Sequence, residues 1–534
     1  MKVTDTTRLA FINPGSQQGL GTIALTLHDV VFEVDDAIGG TNSAVIQSLP
    51  AEPLPGTFFR LQMEGCLFRV APDMGHVSAR SGLEGWIDSC IFEGGQRVLF
   101  NIPTADSGHF PGQPANDFSV GFRISDCEFR ELTYTGGSDT YHLQVAGRDW
   151  SVSNCTFGEA GAFGATESGH IYSNLQDSRI VGCTFIGGGA FHLFFKGSER
   201  TQPSTTVVNG NGWGNVIVGC SFEGSSSVPS FAQIFMNVKE QRFLDCTFRS
   251  YTAYAISANQ QAQSSDNLLI DGCSFSSDAS SSAIRFLNGG QNIRILNSTF
   301  ADITGLGNAR QGLIVFEAFP AVQSDRWEDL RIEGCTFTNC EYPALYFYAS
   351  GRAYTVARMR FLKNVLRLPT GGAFLGSGSA TIEDLVLADN FIDVDGDFAW
   401  RTMPSDCVAR STNNVWVDNG GFFPPDDDAR GIRTGTRLSV QTLLTGGATV
   451  AVSDDTRAVR VAGNAGAVMV GLDDGHFDGQ ELVLIGASDV EPVTFQDVAN
   501  LDLAANRTLG LRDTLRLIWD ASTATWAELD FSDN

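Results

Sequence analysis

The sequence predicts an all-β protein: a right-handed parallel β-helix of about 14 coils followed by a small C-terminal antiparallel β domain. Three observations predict it. A short phrase, Cys-x-Phe or a close variant, returns fourteen times between Val30 and Trp416 at spacings of 24 to 37 residues. Each repeat holds short alternating apolar segments between Gly-, Ser- and Asn-rich turns, with no long stripe of helical period. Beyond residue 431 both the phrase and cysteine disappear. A period of this length, sustained along a chain, means stacked structural repeats.

Residues 1–20 lie outside the repeat and read as a cap or attachment segment. Residues 21–417 form the predicted β-helix, entered by about Leu25. Cys and Phe stand two residues apart and share one strand face, here the inner one. Stacking then makes a Cys column (Cys66, Cys90, Cys127, Cys155, Cys183, Cys220, Cys246, Cys273 and Cys335) beside a Phe column. Asn364, Asn390 and Asn414 take the Cys position in the last repeats, where stacked amides can hydrogen-bond along the axis. The preference for right-handed crossovers between parallel strands sets the predicted hand. Insertions such as Pro103 to Asn116, Ser198 to Gly212 and Phe319 to Trp327 belong on the surface of the solenoid.

Nine of the 11 cysteines fall in that column. Parallel stacking aims their Cβ vectors the same way, which is poor disulfide geometry, so they read as buried thiols. A Cys-x-x-Cys metal pattern is absent, and no cofactor is expected. Asp393, Asp395 and Asp397 resemble part of a Ca²⁺ loop but lack its distal Glu, so a turn is the reading. Asp149 and Asp177 share an offset that turn chemistry explains. The net charge is −26, from 35 basic and 61 acidic residues. That excludes a nucleic-acid partner and requires a local basic patch for any anionic one. Lys196 and Arg200 could supply such a patch. Met1 to Ile12 holds no signal-peptide core and no run approaches a membrane span, so the chain is expected to be made in the cytoplasm without membrane insertion.

Residues 418–431, with Phe422-Phe423-Pro424-Pro425 and then Asp426, Asp427 and Asp428, read as a linker. Residues 432–534 carry alternating segments separated by turns such as Asp473-Asp474-Gly475 and read as the antiparallel domain. Its close resembles the terminal β domain of bacteriophage fibre and spike proteins, which often ends in a pattern matched here by Asp513, Leu515, Leu517, Trp519, Asp520, Trp526 and Glu528. The preceding repeats resemble phage tailspikes and the wider pectate-lyase-like fold. The resemblance implies a homotrimer on a virion or a gene-transfer-agent particle, binding host surface polysaccharide and in some members cleaving it. Attachment to a capsid or tail protein would run through the N-terminal segment or an adaptor. Trp519 or Trp526 is then expected near the subunit contacts.

A second strand in each coil is aligned on Leu143, Ile171, Leu193, Ile234, Ile256, Ile284, Ile314 and Leu345 as inward residues. Strict alternation places His142, His170, His192 and Gln233 in one outer column, with Gln144, Tyr172, Phe194 and Phe235 in the next and Lys196 in a third. Flat rings beside amide and imidazole groups suit a sugar, by stacking on C–H faces and bonding to hydroxyls. The competing reading is that an insertion or neighbouring subunit covers these rings. A metal is disfavoured, because a linear stack of His diverges. Asp139 and Glu167 each precede a His by three residues on adjacent 28-residue coils. They are therefore expected ~5 Å apart, the separation of a retaining glycosidase pair. The competing reading makes them solvated turn residues.

Overall fold

The computed structural model describes residues 2–3, 22–34, 44–48, 58–72, 74–79, 82–101, 119–130, 132, 140–158, 168–187, 191–196, 213–224, 230–235, 238–259, 266–278, 282–287, 289–304, 312–318, 326–349, 354–368, 375–377, 380–394, 409–412, 414–417, 437–444, 448–450, 452, 456–463, 468–497, 499–511 and 513–532. The chain winds as a parallel β-helix through three long sheets of 15, 12 and 14 strands, here sheets A, B and C. A short fourth sheet of four strands joins the later coils. In the coil around Cys127, sheet C contributes Arg123–Ser125, sheet A Glu128–Phe129 and sheet B Thr140–Arg148. Lys2–Val3 pairs in parallel with Glu33 and Val34 on the first strand of the repeat.

The repeated phrase builds the turn between sheets C and A. The residue before each Cys takes a left-handed backbone, with φ of +51° at Asp126, +53° at Asn154 and +61° at Gly182. Asp, Asn and Gly tolerate that conformation best. The same holds at Asp149 and Asp177, with φ of +57° and +51°, so turn geometry accounts for their shared offset. Inside, the Phe column is continuous from Phe32 to Phe337, with successive ring centroids 4.5 to 5.3 Å apart. This is the offset stacking that aromatic quadrupoles favour, imposed at every coil by the parallel register.

The ten described cysteines are buried free thiols. Each ladder thiol reaches a backbone carbonyl two residues back, as Cys127 Sγ does with Ser125 O at 3.1 Å. The position also serves the coil before it. Cys66 N donates to Cys90 Sγ at 3.4 Å, Cys273 N to Ser298 Oγ at 3.2 Å and Cys335 N to Asn364 Oδ1 at 2.8 Å. A small side chain that accepts one hydrogen bond and donates another fits here, which is why Ser and Asn can replace Cys. The axial amide bond expected at the end of the repeat runs from Asn390 Nδ2 to Asn414 Oδ1, 2.8 Å.

The chain divides into two compact units, the second comprising Val386–Phe391, Val408–Trp416 and Pro424–Asn534. In its C-terminal part the sheets are mixed. Arg437–Leu444, Thr456–Gly463 and Glu481–Gly486 pair in parallel in one sheet. Thr449–Val450, Val468–Leu472 and Val493–Phe495 pair in parallel in the other. The chain alternates between them, as a flattened coil of two strands per turn. Antiparallel pairing, expected throughout, is confined to the later strands: Arg507–Leu509 meets Val493–Phe495, and Thr514–Asp520 meets Glu481–Gly486 and Thr525–Ser532. A half-buried strand alternates in the same way whichever direction its neighbour runs. Direction is therefore decided by the connections.

The residues that carry the fibre-like ending shape this domain. Leu515, Leu517 and Trp526 are fully buried in its core. Asp513 accepts from Gly510 N at 2.7 Å, and Glu528 takes Arg507 Nε at 3.0 Å and Ala504 N at 3.1 Å. Trp519 and Trp526 sit in the core at 5% and 0% exposure, and Trp526 Nε1 donates to Asp473 O at 2.8 Å. Among the described residues of this domain, the exposed large apolar side chains are Val490, Leu529, Phe477 and Leu511.

Candidate functional site

The expected sugar face lies on sheet B, and the structure redraws it. Strict alternation fails at the start of each strand. His142 and Leu143 are both fully buried, while the ring of Tyr141 joins Tyr172, Phe191 and Phe194 in a separate aromatic cluster. His142, His170 and His192 therefore do not point outward. Their exposure is 0%, and their rings lie against the inner column at Phe129, Phe157, Phe185 and Phe222. The interior accepts them because backbone carbonyls satisfy their N–H groups. His142 Nε2 bonds to Arg130 O at 3.0 Å and His192 Nε2 to Gly187 O at 2.9 Å.

These contacts assign the protons. A carbonyl only accepts, so His142 carries its hydrogen on Nε2 and offers Nδ1 as acceptor. His170 Nδ1 lies 2.8 Å from His142 Nδ1 and must donate. Neutral His170 then presents a bare Nε2 near the carbonyls of Gly187 and Ile186, with no hydrogen bond of normal geometry. Burial lowers the pKa of the whole column: to about 4 at His142, to about 3 at His192 and well below the ordinary value at His170. His76, further toward the N-terminus, is likewise lowered to about 4 by burial. Fully buried neutral imidazoles cannot touch a glycan, so these three leave the predicted site.

In the neighbouring column the strand register is as expected up to Phe194 and then changes. Gln144, Tyr172 and Phe194 pair in sequence across their strands. Phe194 then meets Gln233, and Phe235 meets Lys196, two residues from the expected alignment. Leu193 pairs with Ala232 and Phe195 with Ile234. A shift of two residues leaves every face unchanged. Gln233, Phe235 and Lys196 lie in these strands, but their side chains fall outside the description. Asp139 and Glu167 lie outside the described residues.

Tyr172 is half-buried and stacks on Phe194, with centroids 5.1 Å apart and planes 11° from parallel. Phe194 is only 8% exposed, and Tyr141 is fully covered. Of the predicted rings with described side chains, Tyr172 alone offers surface. Gln144, half-buried in the same column, holds Oε1 without a partner. Gly169 makes room for the cluster, since a Cβ there would lie 2.3 Å from Phe191 O and 2.5 Å from its ring. Further along the column, Arg285 Nε bonds to the buried Glu317 at 2.8 Å, and its guanidinium covers the Tyr254 ring at 4.9 Å. The sequence reading missed Tyr141, Gly169, Phe191 and the Arg285–Glu317 pair. The signal available was Arg285 and Glu317 on adjacent coils, two residues apart in register.

The fold defines a β-solenoid, and on one of its sheets Tyr172 and Gln144 stand half-buried on adjacent strands. Residues 440–527 match the phage depolymerase C-terminal beta sandwich domain family. Among solved structures, the chain is similar to the tailspike protein of E. coli bacteriophage HK620, at TM-score 0.39 and 11% identity over 94% of this chain and 77% of that one. It is also similar to the A-module of the Azotobacter vinelandii mannuronan C-5 epimerase AlgE6, at TM-score 0.36 and 10% identity over 75% and 92%. A third is PfbA, a surface adhesin of Streptococcus pneumoniae, at TM-score 0.35 and 10% identity over 90% and 91%. Comparison with curated proteins gave no match.

Proposed function

We propose that this protein is a spike of a phage or phage-like particle that binds host cell-surface polysaccharide. The observation that carries the reading is the match of residues 440–527 to a phage depolymerase C-terminal domain, in a chain whose preceding repeats form a parallel β-helix. The sugar lies along the outer face of sheet B. There Tyr172 supplies a ring for C–H stacking, and Gln144 supplies a half-buried amide acceptor. The particle surface is its location, a homotrimer its working form, and a capsid or tail protein its anchor through the N-terminal segment or an adaptor.

Depolymerisation is the second reading, favoured by the family's own description and by the matched offsets of Asp139 and Glu167. One experiment separates the two. Purified protein is incubated with capsular polysaccharide and lipopolysaccharide, and the glycan is then sized. Retention without shortening gives an adhesin. Shortening that disappears in Asp139→Asn with Glu167→Gln gives an enzyme. Neither binding nor shortening rejects both readings and leaves a purely structural particle component.

A further inference from the structure

Sheet C carries a feature that the sugar-binding reading does not use. Its strands are mostly three residues long, so each turns one residue inward and two outward. Followed coil by coil, the first outward position runs Arg123, Ser151, Arg179, Val216, Arg242, Leu269 and Arg294. Arginine thus returns at every second coil, a spacing of about 10 Å along the axis. Arg123, Arg179 and Arg242 are exposed and Arg294 half-buried, while Ser151, Val216 and Leu269 between them are half-buried. The second outward position adds Val181, Val218 and Leu244, also half-buried.

These four arginines have no carboxylate partner among the described residues, although acids outnumber bases 61 to 35 in the chain. The carboxylates of Asp149, Asp177 and Glu240 stand on the turns beside the strands without pairing to them. Arg294 Nε is buried without an acceptor. Later in the same column the pattern changes. Arg331 pairs with Glu333, and Arg360 with Asp384 at 3.0 Å. The unpaired stretch is therefore a distinct segment with a basic and apolar surface, on a protein of net charge −26.

We propose that this face of sheet C binds an acidic polysaccharide lying along the helix axis, with one carboxylate of each disaccharide held by one arginine. The inference rests on the reading of the protein as a polysaccharide binder and names the class of glycan. Three physical points support it. A guanidinium holds a carboxylate through two parallel N–H donors. The two-coil spacing is about the length of a disaccharide in an extended chain. The intervening Val216 and Leu269 offer apolar contact to sugar C–H groups where no charge is needed. Guanidiniums on every coil would repel one another, whereas alternation leaves each free for its own anion.

The test uses the full chain and two probes: hyaluronan, with one carboxylate per disaccharide, and dextran, with none. Titration at low salt should show hyaluronan binding that weakens as salt is added, and no comparable binding of dextran. The double variant Arg179→Gln with Arg242→Gln should bind hyaluronan at least tenfold more weakly. Its thermal unfolding and its mass by light scattering should be unchanged, because both side chains are exposed. Equal affinity of variant and wild type overturns the proposal, as does a wild type that ignores hyaluronan. A variant that falls to a lower mass overturns it too, by showing that the face joins copies of the chain. In each of these cases, retention of capsular or lipopolysaccharide glycan by the wild type would leave the broader sugar-binding reading standing.

Discussion

Three histidines stacked inside an aromatic tube make this protein sensitive to acid at the level of single residues. In the folded chain His76 and His142 titrate near 4 and His192 near 3, all lowered by burial. Their unfolded value is about 6.5. The folded state thus binds fewer protons than the unfolded state in this window. Stability is full above about pH 6.5 and falls as pH drops toward 4, by about 1.4 kcal/mol per pH unit for each histidine involved. Urea unfolding at pH 7, 6 and 5 should show this slope, and His192→Gln should make it shallower. A flat profile would mean that the folded column takes up protons as readily as the unfolded chain. Gly169→Ala tests the aromatic cluster in the same way. Its Cβ meets the Phe191 ring and carbonyl, so a loss of about 1–3 kcal/mol from overpacking is expected. Tyr172→Ala, which removes a half-buried ring, should weaken glycan retention by about 1–3 kcal/mol with little change in unfolding.

At the scale of one coil, the repeating phrase is a hydrogen-bonding device as much as an apolar one. The inner Phe supplies stacking, and the Cys position links each coil to the one before it. Phe157→Ala removes a fully buried ring that lies between Phe129 and Phe185. It should cost about 3–5 kcal/mol, measured by denaturant unfolding. Burial pushes the thiol of Cys340 up to about 11 and that of Cys335 up to about 12. Thiolate is the reactive form, so these thiols should resist iodoacetamide in the native protein and react once it is unfolded in guanidinium. The phrase made the coils, their inner columns and the turn residues legible in the sequence, because each coil repeats the same demands at the same offset. The strand of sheet B was less legible. Its first residues break the alternation, so the identity of His142 alone did not reveal its direction.

At the scale of the whole molecule, the expected homotrimer is a prediction about exposed apolar surface in the C-terminal part. Val490 is 83% exposed and Leu529 49%. Light scattering of the full chain should give three times its mass of 57.4 kDa, and Val490→Asp with Leu529→Asp should lower it. A full-length monomer in dilute buffer would reject the assembly, and an unchanged mass in the variant would move the contact elsewhere. Ionic strength offers a separate check, since binding through the sheet C arginines is screened by salt and stacking on Tyr172 is not.

The sequence by itself determined the winding. A repeat near 27 residues with a fixed inner pair admits little besides a parallel β-helix, since every coil must place Cys and Phe over the same residues of the last. The loss of the phrase after Trp416 predicts a change of architecture beyond it. Only the tertiary structure decided direction and partnership. Whether His142 faces in or out depends on a carbonyl, Arg130 O, twelve residues away. Whether Phe194 meets Phe235 or Gln233 depends on the register of two strands far apart in sequence. Whether the strands of the terminal domain run parallel depends on where their connections cross. The arginine column appears only when strands 25 to 37 residues apart in sequence are laid side by side. Long-range pairing settles these choices, and local pattern is the same for either outcome.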